Sequence, residues 1–317
     1  MSKIITESIE NYGLSKKDQP KIQFSKIGIV GCGTTGQSIA REISSHGMEV
    51  AFIELGESEI QHAYEGIERE LDSQIEHWGM TSGEKKAIMS RIKGYTDYSY
   101  LGGCDLVIES ILSTNRESAV DIRKEVFKNI EAYVSHDSII ATNSTTLVIT
   151  ELSSELEHKD RCVSLHFISN APDSKIVEVV RGLYTSDEAY NNVLKFIKLI
   201  GKKAVPVEES PGLITVRMFV PIINEACEIL MEGVGKMEDI DLTMRTGLGL
   251  SLGPFEMSDK VGLDKVLRWM DNLYQEFGDI KYKASPLIKR LVRANQLGRK
   301  TLKGFYEYDE NGKKICK

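Results

Sequence analysis

Three glycines set in Lys26-Ile-Gly-Ile-Val-Gly31-Cys-Gly33-Thr-Thr-Gly36 limit what this chain can fold into more than any other stretch. A strand-like apolar run enters a G-x-G-x-x-G loop, and a helical pattern leaves it over 37–45. Each glycine has a distinct physical task. Gly31 makes the tight turn off the strand, Gly33 lets bare backbone approach a pyrophosphate, and Gly36 lets helix and strand pack closely. The helix then aims its free N–H groups at the phosphates. A glycine-rich turn of another α/β protein is the alternative, because the spacing alone is common. The context favours a dinucleotide: Glu49-Val-Ala-Phe-Ile-Glu54 follows as a second strand, and Glu54 lies about twenty residues past the loop, where a carboxylate accepts hydrogen bonds from ribose hydroxyls.

The strand–helix alternation continues. Cys104–Glu109, Ser138–Thr142, Arg161–Phe167, Lys175–Val180 and Lys203–Val207 read as strands, and Arg116–Tyr133 and Asp187–Ile200 as helices. Such alternation predicts an α/β fold of Rossmann type, with a doubly wound, mostly parallel sheet and ligands at the strands' carboxyl ends. Beyond Glu209-Ser-Pro-Gly212 the pattern is helical: Leu213–Met231, Glu238–Thr246, Lys260–Phe277 and Ser285–Ala294. The expected organisation is an extension at 1–23, a nucleotide-binding domain at 24–208 and an all-helical domain at 209–317. The apolar helices of the latter suit burial against a second copy, and a homodimer is expected.

Glu57–Trp78 reads as a long helix with an apolar stripe from Ile60 to Trp78, followed by a further helix at Ser82–Ile92. Its other face is acidic, including Glu70, Asp72 and Glu76; such a run is either a plain solvated face or a surface that repels anions. The net charge of −7 argues against a nucleic-acid partner. Five cysteines without a C-x-x-C pair suit free thiols in a reducing compartment, and Cys32 reads as a small residue fitting its loop. Neither a leader pattern nor a run of ~20 apolar residues is present, so no membrane partner and a cytoplasmic location are expected. The six histidines show no metal-ligand spacing, and no metal is expected.

One histidine stands at a strand's carboxyl end. His166 has an ordinary pKa near neutrality, suited to taking a hydroxyl proton while hydride leaves. Glu178 lies inside the apolar run Ile176–Val180, where a carboxylate is costly unless paired; an imidazole partner would satisfy it and fix the ring tautomer. A structural role for a lone strand histidine is the alternative. The turn Asn143-Ser-Thr145-Thr146 after the 138–142 strand is rich in hydroxyls.

Taken together these motifs resemble the 3-hydroxyacyl-CoA dehydrogenase family, closest to its bacterial 3-hydroxybutyryl-CoA members, over about Lys26 to Tyr308. Further matching stretches are Glu238-Asp-Ile-Asp241, Gly253-Pro-Phe-Glu256, Val261-Gly-Leu-Asp264 and Leu297-Gly-Arg-Lys-Thr301 with Gly304-Phe-Tyr306. The resemblance implies NAD as cofactor, with Gly31, Gly33, Thr34, Thr35, Gly36, Glu54, Glu109 and Asn143 around it. It also implies His166 as base, Glu178 as its orienting acid, Thr145 as the substrate-contacting hydroxyl, and a small acyl thioester as substrate. Four features depart from the pattern, the mildest being Thr145 where the family usually has serine. The family's asparagine after its H-F-F motif is Ser169. The asparagine that holds the substrate oxygen is Val216, for which Asn170 or Thr215 are the candidate substitutes; losing such a donor costs ~3 kcal/mol of transition-state stabilisation. The lysines that meet CoA phosphates are replaced by the Glu70/Asp72/Glu76 face. These departures leave two other readings open: a dehydrogenase of a 3-hydroxy acid without CoA or on another carrier, and an NAD-binding protein of little turnover.

Overall fold

The computed structural model describes residues 24–76, 79–112, 116–168, 174–310 and 312–315; the expected N-terminal extension, Trp78, Ser169, Asn170 and Cys316 lie outside them. Strand β1 (Lys26–Val30) enters the glycine loop, helix α1 (Thr34–Ser45) leaves it, and β2 (Glu49–Ile53) pairs with β1 in parallel. Helices α2 (Glu57–Glu76) and α3 (Ser82–Ser90) follow, the second started by a capping box between Thr81 and Glu84. The chain then forms β3 (Ile92–Tyr95), β4 (Leu106–Glu109), α4 (Arg116–Tyr133), β5 (Ile139–Thr142), the single turn α5 (Ile149–Leu152), β6 (Cys162–Phe167), β7 (Ile176–Arg181), α6 (Asp187–Leu199) and β8 (Lys203–Glu208).

The eight strands lie in the order β3-β2-β1-β4-β5-β6-β7-β8. The order reverses between β1 and β4, which opens a crevice at their carboxyl ends. The central strands are largely apolar because helices cover both faces; Ile27, Ile29, Leu106, Val107, Ile108 and Ile140 are all buried. Seven of the eight strands were expected from the sequence. The exception, β3, reads Ile-Lys-Gly-Tyr, too short and too mixed to carry a period-two signal; it starts at Ile92, the last residue of the expected 82–92 helix, which itself ends at Ser90. Its Gly94 lies beneath Phe52 and Ile60, where a Cβ would come within 2.4 Å of the ring.

β7 runs antiparallel to β6, and β8 is parallel to β7. This reversal sets the site: it places Glu178 directly opposite His166 in the ladder. The helical part comprises α7 (Thr215–Met231), α8 (Met237–Leu248), α9 (Pro254–Val261), α10 (Leu263–Phe277) and α11 (Pro286–Arg293). The single helix expected from 260 onward is broken at Gly262, whose φ of +97° no helix can continue. Two buried aspartates fasten this region. Asp241 accepts from the Phe255 and Glu256 amides at the start of α9, and Asp259 accepts from the Phe305 and Tyr306 amides and the Tyr308 hydroxyl. Burial raises the pKa of Asp259 to about 6 against those donors. The residues quoted from the C-terminal motifs are thus largely architectural. No helix of the described residues is long and apolar enough to cross a membrane.

Candidate active site

The crevice is a cleft between the sheet's carboxyl edge and α10. Thr35, Glu109, Asn143, Thr145 and His166 line one side, and Lys265, Arg268, Trp269 and Asn272 the other.

At the glycine loop the backbone is shaped as the spacing predicts. Gly31 has φ +88°, and a Cβ there would lie 2.8 Å from the Ile111 backbone. A Cβ on Gly36 would meet the Gly31 carbonyl oxygen at 2.3 Å, so helix and strand touch through bare backbone. Gly33 has only Leu112 nearby, at 3.7 Å, and leaves the loop open on its outer side. Helix α1 has no side-chain cap and no acid in its first turn, so its leading amides remain suited to an anion. A dinucleotide pyrophosphate fits this cradle. The Glu54 carboxylate folds over the loop and accepts from the Cys32 amide, which holds it beside the place where an adenosine ribose would lie. Thr34 and Thr35 open α1, and Thr35 reaches the cleft.

Glu109 is fully buried at the end of β4. Its carboxylate accepts from the Ile111 amide at 2.8 Å, the Arg123 Nε at 3.1 Å and the Thr142 hydroxyl at 2.6 Å. Glu109 therefore shapes the cleft floor by fastening β4 to β5 and α4. Asn143 behaves similarly: its side-chain oxygen accepts from the Phe167 amide at 2.9 Å, tying the hydroxyl turn to the strand that carries His166. Thr145 is buried at the cleft wall, and its carbonyl accepts from the Gly212 amide at 2.6 Å. Asn272 of α10 donates to the Thr146 hydroxyl at 2.7 Å, so the same turn is held from the helical side.

His166 and Glu178 meet inside the protein. The ring Nδ1 lies 2.5 Å from Glu178 Oε2, and Glu178 Oε1 accepts from the Ile214 and Thr215 amides, both at 3.1 Å. Burial works to raise the Glu178 pKa, but its hydrogen bonds from His166 and the α7 amide outweigh this and hold it below the usual value. Burial likewise pushes His166 down; Glu178 opposes that, the Lys265 charge adds to it, and the net direction is down. The result is a neutral imidazole beside an ionised carboxylate. The carboxylate accepts a hydrogen bond from the Nδ1–H, so Nε2 is the basic nitrogen available to the cleft.

Of the positions that depart from the family pattern, Ser169 lies outside the described residues, as does the candidate substitute Asn170. Val216 is fully buried in the helical core with Val220 and Ile223. Thr215 contributes its amide to Glu178 and is not among the residues lining the cleft. On the acidic face, Glu70 lies 3.8 Å from Arg41 and Asp72 pairs with Lys85 at 2.7 Å, so part of that charge is offset within the fold. Arg123, Lys265, Arg268 and Asn272 were not singled out in the sequence. Lys265, Arg268 and Asn272 share the i, i+3, i+7 spacing of one face of α10, but only the fold reveals that this face meets the cleft.

Comparison with known proteins bears on the whole described chain. Residues 26–210 match the family model for the 3-hydroxyacyl-CoA dehydrogenase NAD binding domain, and residues 212–308 the model for its C-terminal domain. A 3-hydroxybutyryl-CoA dehydrogenase of Clostridioides difficile is 37% identical over 285 residues, 90% of this chain and 100% of that protein. The human mitochondrial hydroxyacyl-coenzyme A dehydrogenase is 29% identical, covering 95% of this chain and 96% of its own. Among solved structures, the (S)-3-hydroxybutyryl-CoA dehydrogenase of Ralstonia eutropha superposes with a TM-score of 0.80 at 35% identity, over 90% of this chain and 100% of that one.

Proposed function

The chain belongs to the 3-hydroxyacyl-CoA dehydrogenase family and is an NAD-dependent oxidoreductase; from that premise we propose that it interconverts a short-chain (3S)-hydroxyacyl thioester and its 3-oxo form, with His166 as the base. The observation that carries the reading is the buried His166–Glu178 pair at the edge of the cleft. In the oxidative direction Nε2 of His166 takes the C3 hydroxyl proton, and NAD, when bound, would supply the acceptor for the hydride from C3. Glu178 keeps the proton on Nδ1 beforehand and stabilises the imidazolium afterwards. In the reductive direction the same nitrogen returns the proton. Thr145 would hydrogen-bond the substrate oxygen, a role its position on the cleft wall supports. Gly31, Gly33, Thr34, Thr35 and Gly36 receive the cofactor phosphates and Glu54 the adenosine ribose, while Glu109 and Asn143 shape the nicotinamide end.

We take the division between the two domains to fall at 208/209. Beyond it Met218, Val234, Leu242 and Leu248 are each more than half exposed, which favours a homodimer formed through the helical domain. Sedimentation equilibrium is expected to return twice the chain mass of 35.5 kDa; a concentration-independent monomer rejects it.

The experiment for the activity is NADH oxidation with acetoacetyl-CoA, repeated with NADPH. Turnover is expected with NADH. With NADPH kcat/KM falls roughly a hundredfold, because the added 2′-phosphate meets Glu54 with Glu57 and Glu59 in the first turn of α2 behind it. Equal use of both cofactors rejects the assignment of Glu54, and absence of any turnover with 3-oxo substrates rejects the activity.

A further inference from the structure

The cleft is small for a substrate site, with a volume of about 100 Å³ against the ~300–1,000 Å³ usual for small-molecule pockets. Its lining is also mostly polar. Among the described residues, Ile111, Leu112 and Trp269 supply its apolar side chains. The first two belong to the cofactor side: the Ile111 backbone lies against Gly31, and Leu112 lies beside Gly33. Trp269 is the apolar surface left for a substrate. It stands on the α10 wall of the same cleft that Thr145 and His166 line.

Two contacts hold that wall against the hydroxyl turn. Asn272, three residues beyond Trp269 on the same face of α10, donates to the Thr146 hydroxyl at 2.7 Å. Leu273 packs over Gly212, where an added Cβ would lie 2.8 Å from its Cδ2, and the Gly212 amide donates to the Thr145 carbonyl at 2.6 Å. The wall that carries Trp269 cannot draw back from Thr145 and Thr146 without losing both contacts. The indole is fixed as well. It is buried, it meets the Phe219 ring of α7 edge-on with centroids 6.4 Å apart, and the Lys265 ammonium lies 5.3 Å from its ring. It belongs to the same apolar cluster as Val216 and Val220 of α7.

A 3-hydroxyacyl chain engaged by His166 and Thr145 still has its carbons beyond C3 to place, and polar walls do not favour them. A single methyl gains from contact with the indole. Each further methylene has to displace a ring already packed on another side. We infer that Trp269 is the stop that sets acyl chain length: it closes the end of the substrate cleft, receives the methyl of a short chain and excludes longer ones. This rests on the dehydrogenase reading of the cleft and names the residue that limits its substrate class.

The test compares kcat/KM with NADH for acetoacetyl-CoA and 3-oxodecanoyl-CoA. The wild type is expected to favour the short ester about a hundredfold. Trp269→Ala should shrink that ratio about tenfold or more, mainly by raising the value for the long ester, because losing the indole opens room among Phe219, Val216 and Val220. Trp269→Phe, a smaller ring that keeps part of the packing, should give an intermediate ratio, and it carries the test if the alanine variant does not fold. A purely structural role for the indole would lower both values together and leave the ratio in place. A wild type without chain-length preference, or a ratio that stays at the wild-type value in the variants that fold, overturns the inference.

A binding arm does not depend on turnover. Butyryl-CoA and decanoyl-CoA, which carry no 3-oxo group to reduce, are titrated calorimetrically into the enzyme–NAD complex. In the wild type the longer ester should bind no more tightly than the shorter one, and the variants should favour it by about tenfold. Decanoyl-CoA that binds the wild type more tightly than butyryl-CoA, or that gains nothing in the variants, rejects the stop. If no 3-oxo ester turns over, the dehydrogenase reading fails while this titration still decides whether Trp269 closes the cleft. Binding of neither ester rejects both.

Discussion

Replacing His166 by alanine lowers kcat for 3-oxoacyl reduction by roughly a hundred- to ten-thousandfold, the range ascribed to a positioned acid–base group. The loss is expected in kcat and kcat/KM alike, because the proton transfer it removes is made only in the transition state. Affinity for NADH should stay close to wild type. In the proposed assignment the phosphates would meet the backbone of Gly31, Gly33 and α1, and Glu54, just past β2, would meet the ribose, all apart from β6. The variant also leaves Glu178 with one partner fewer in a buried place. Its two bonds from the Ile214 and Thr215 amides remain, so the fold is expected to survive with some loss of thermal stability. Stopped assays for rate and fluorescence titration for NADH separate these effects. Near-normal turnover in a variant that binds NADH would remove His166 from the mechanism.

Much of this site could be read before any coordinates, for reasons that differ from residue to residue. The glycine loop is legible because each glycine answers a local backbone demand, visible in φ at Gly31 and in the 2.3 Å approach at Gly36. The His166–Glu178 pair is legible because a carboxylate inside Ile-Val-Glu-Val-Val needs a partner, and the antiparallel register supplies one. Lys265 and Arg268 were not legible. On a helix of alternating charged and apolar residues they look like its solvated face, and only the docking of α10 over the sheet edge turns them inward. Strand β3 was missed for want of period, and the break at Gly262 because a glycine inside an apolar pattern need not end a helix. Thr215, a candidate substitute for the missing asparagine, is instead one of the two amide donors that hold Glu178.

Glu178→Gln is expected to slow the reaction by about a hundredfold or more, although it is close to the smallest change that can be made there. The carboxylate does two things for His166. It accepts a hydrogen bond from Nδ1–H, leaving Nε2 basic, and it favours the imidazolium that forms when Nε2 takes the substrate proton. A glutamine can turn its oxygen toward the Ile214 and Thr215 amides and its NH2 toward Nδ1. That arrangement satisfies every hydrogen bond and stabilises the other tautomer, with the proton already on Nε2. The packing survives while the base is lost; an amide in place of such an orienting carboxylate is known to cost up to ~10⁴ in rate. The pH profile distinguishes this from a loss of packing. Burial lowers the His166 pKa and Glu178 opposes that lowering, so removing the charge lets the pKa fall further. In the oxidative direction the active form is the neutral ring, and the acid limb of kcat/KM should move to lower pH. In the reductive direction the active form is the protonated ring, and its alkaline limb should move to lower pH as well. Glu178→Ala, which removes the oxygens altogether, should instead lose thermal stability because the two α7 amides are left without an acceptor. If Glu178→Gln retains wild-type limbs in both directions, the carboxylate acts only as a strut between β7 and α7, and the chemistry assigned to the pair belongs to His166 alone.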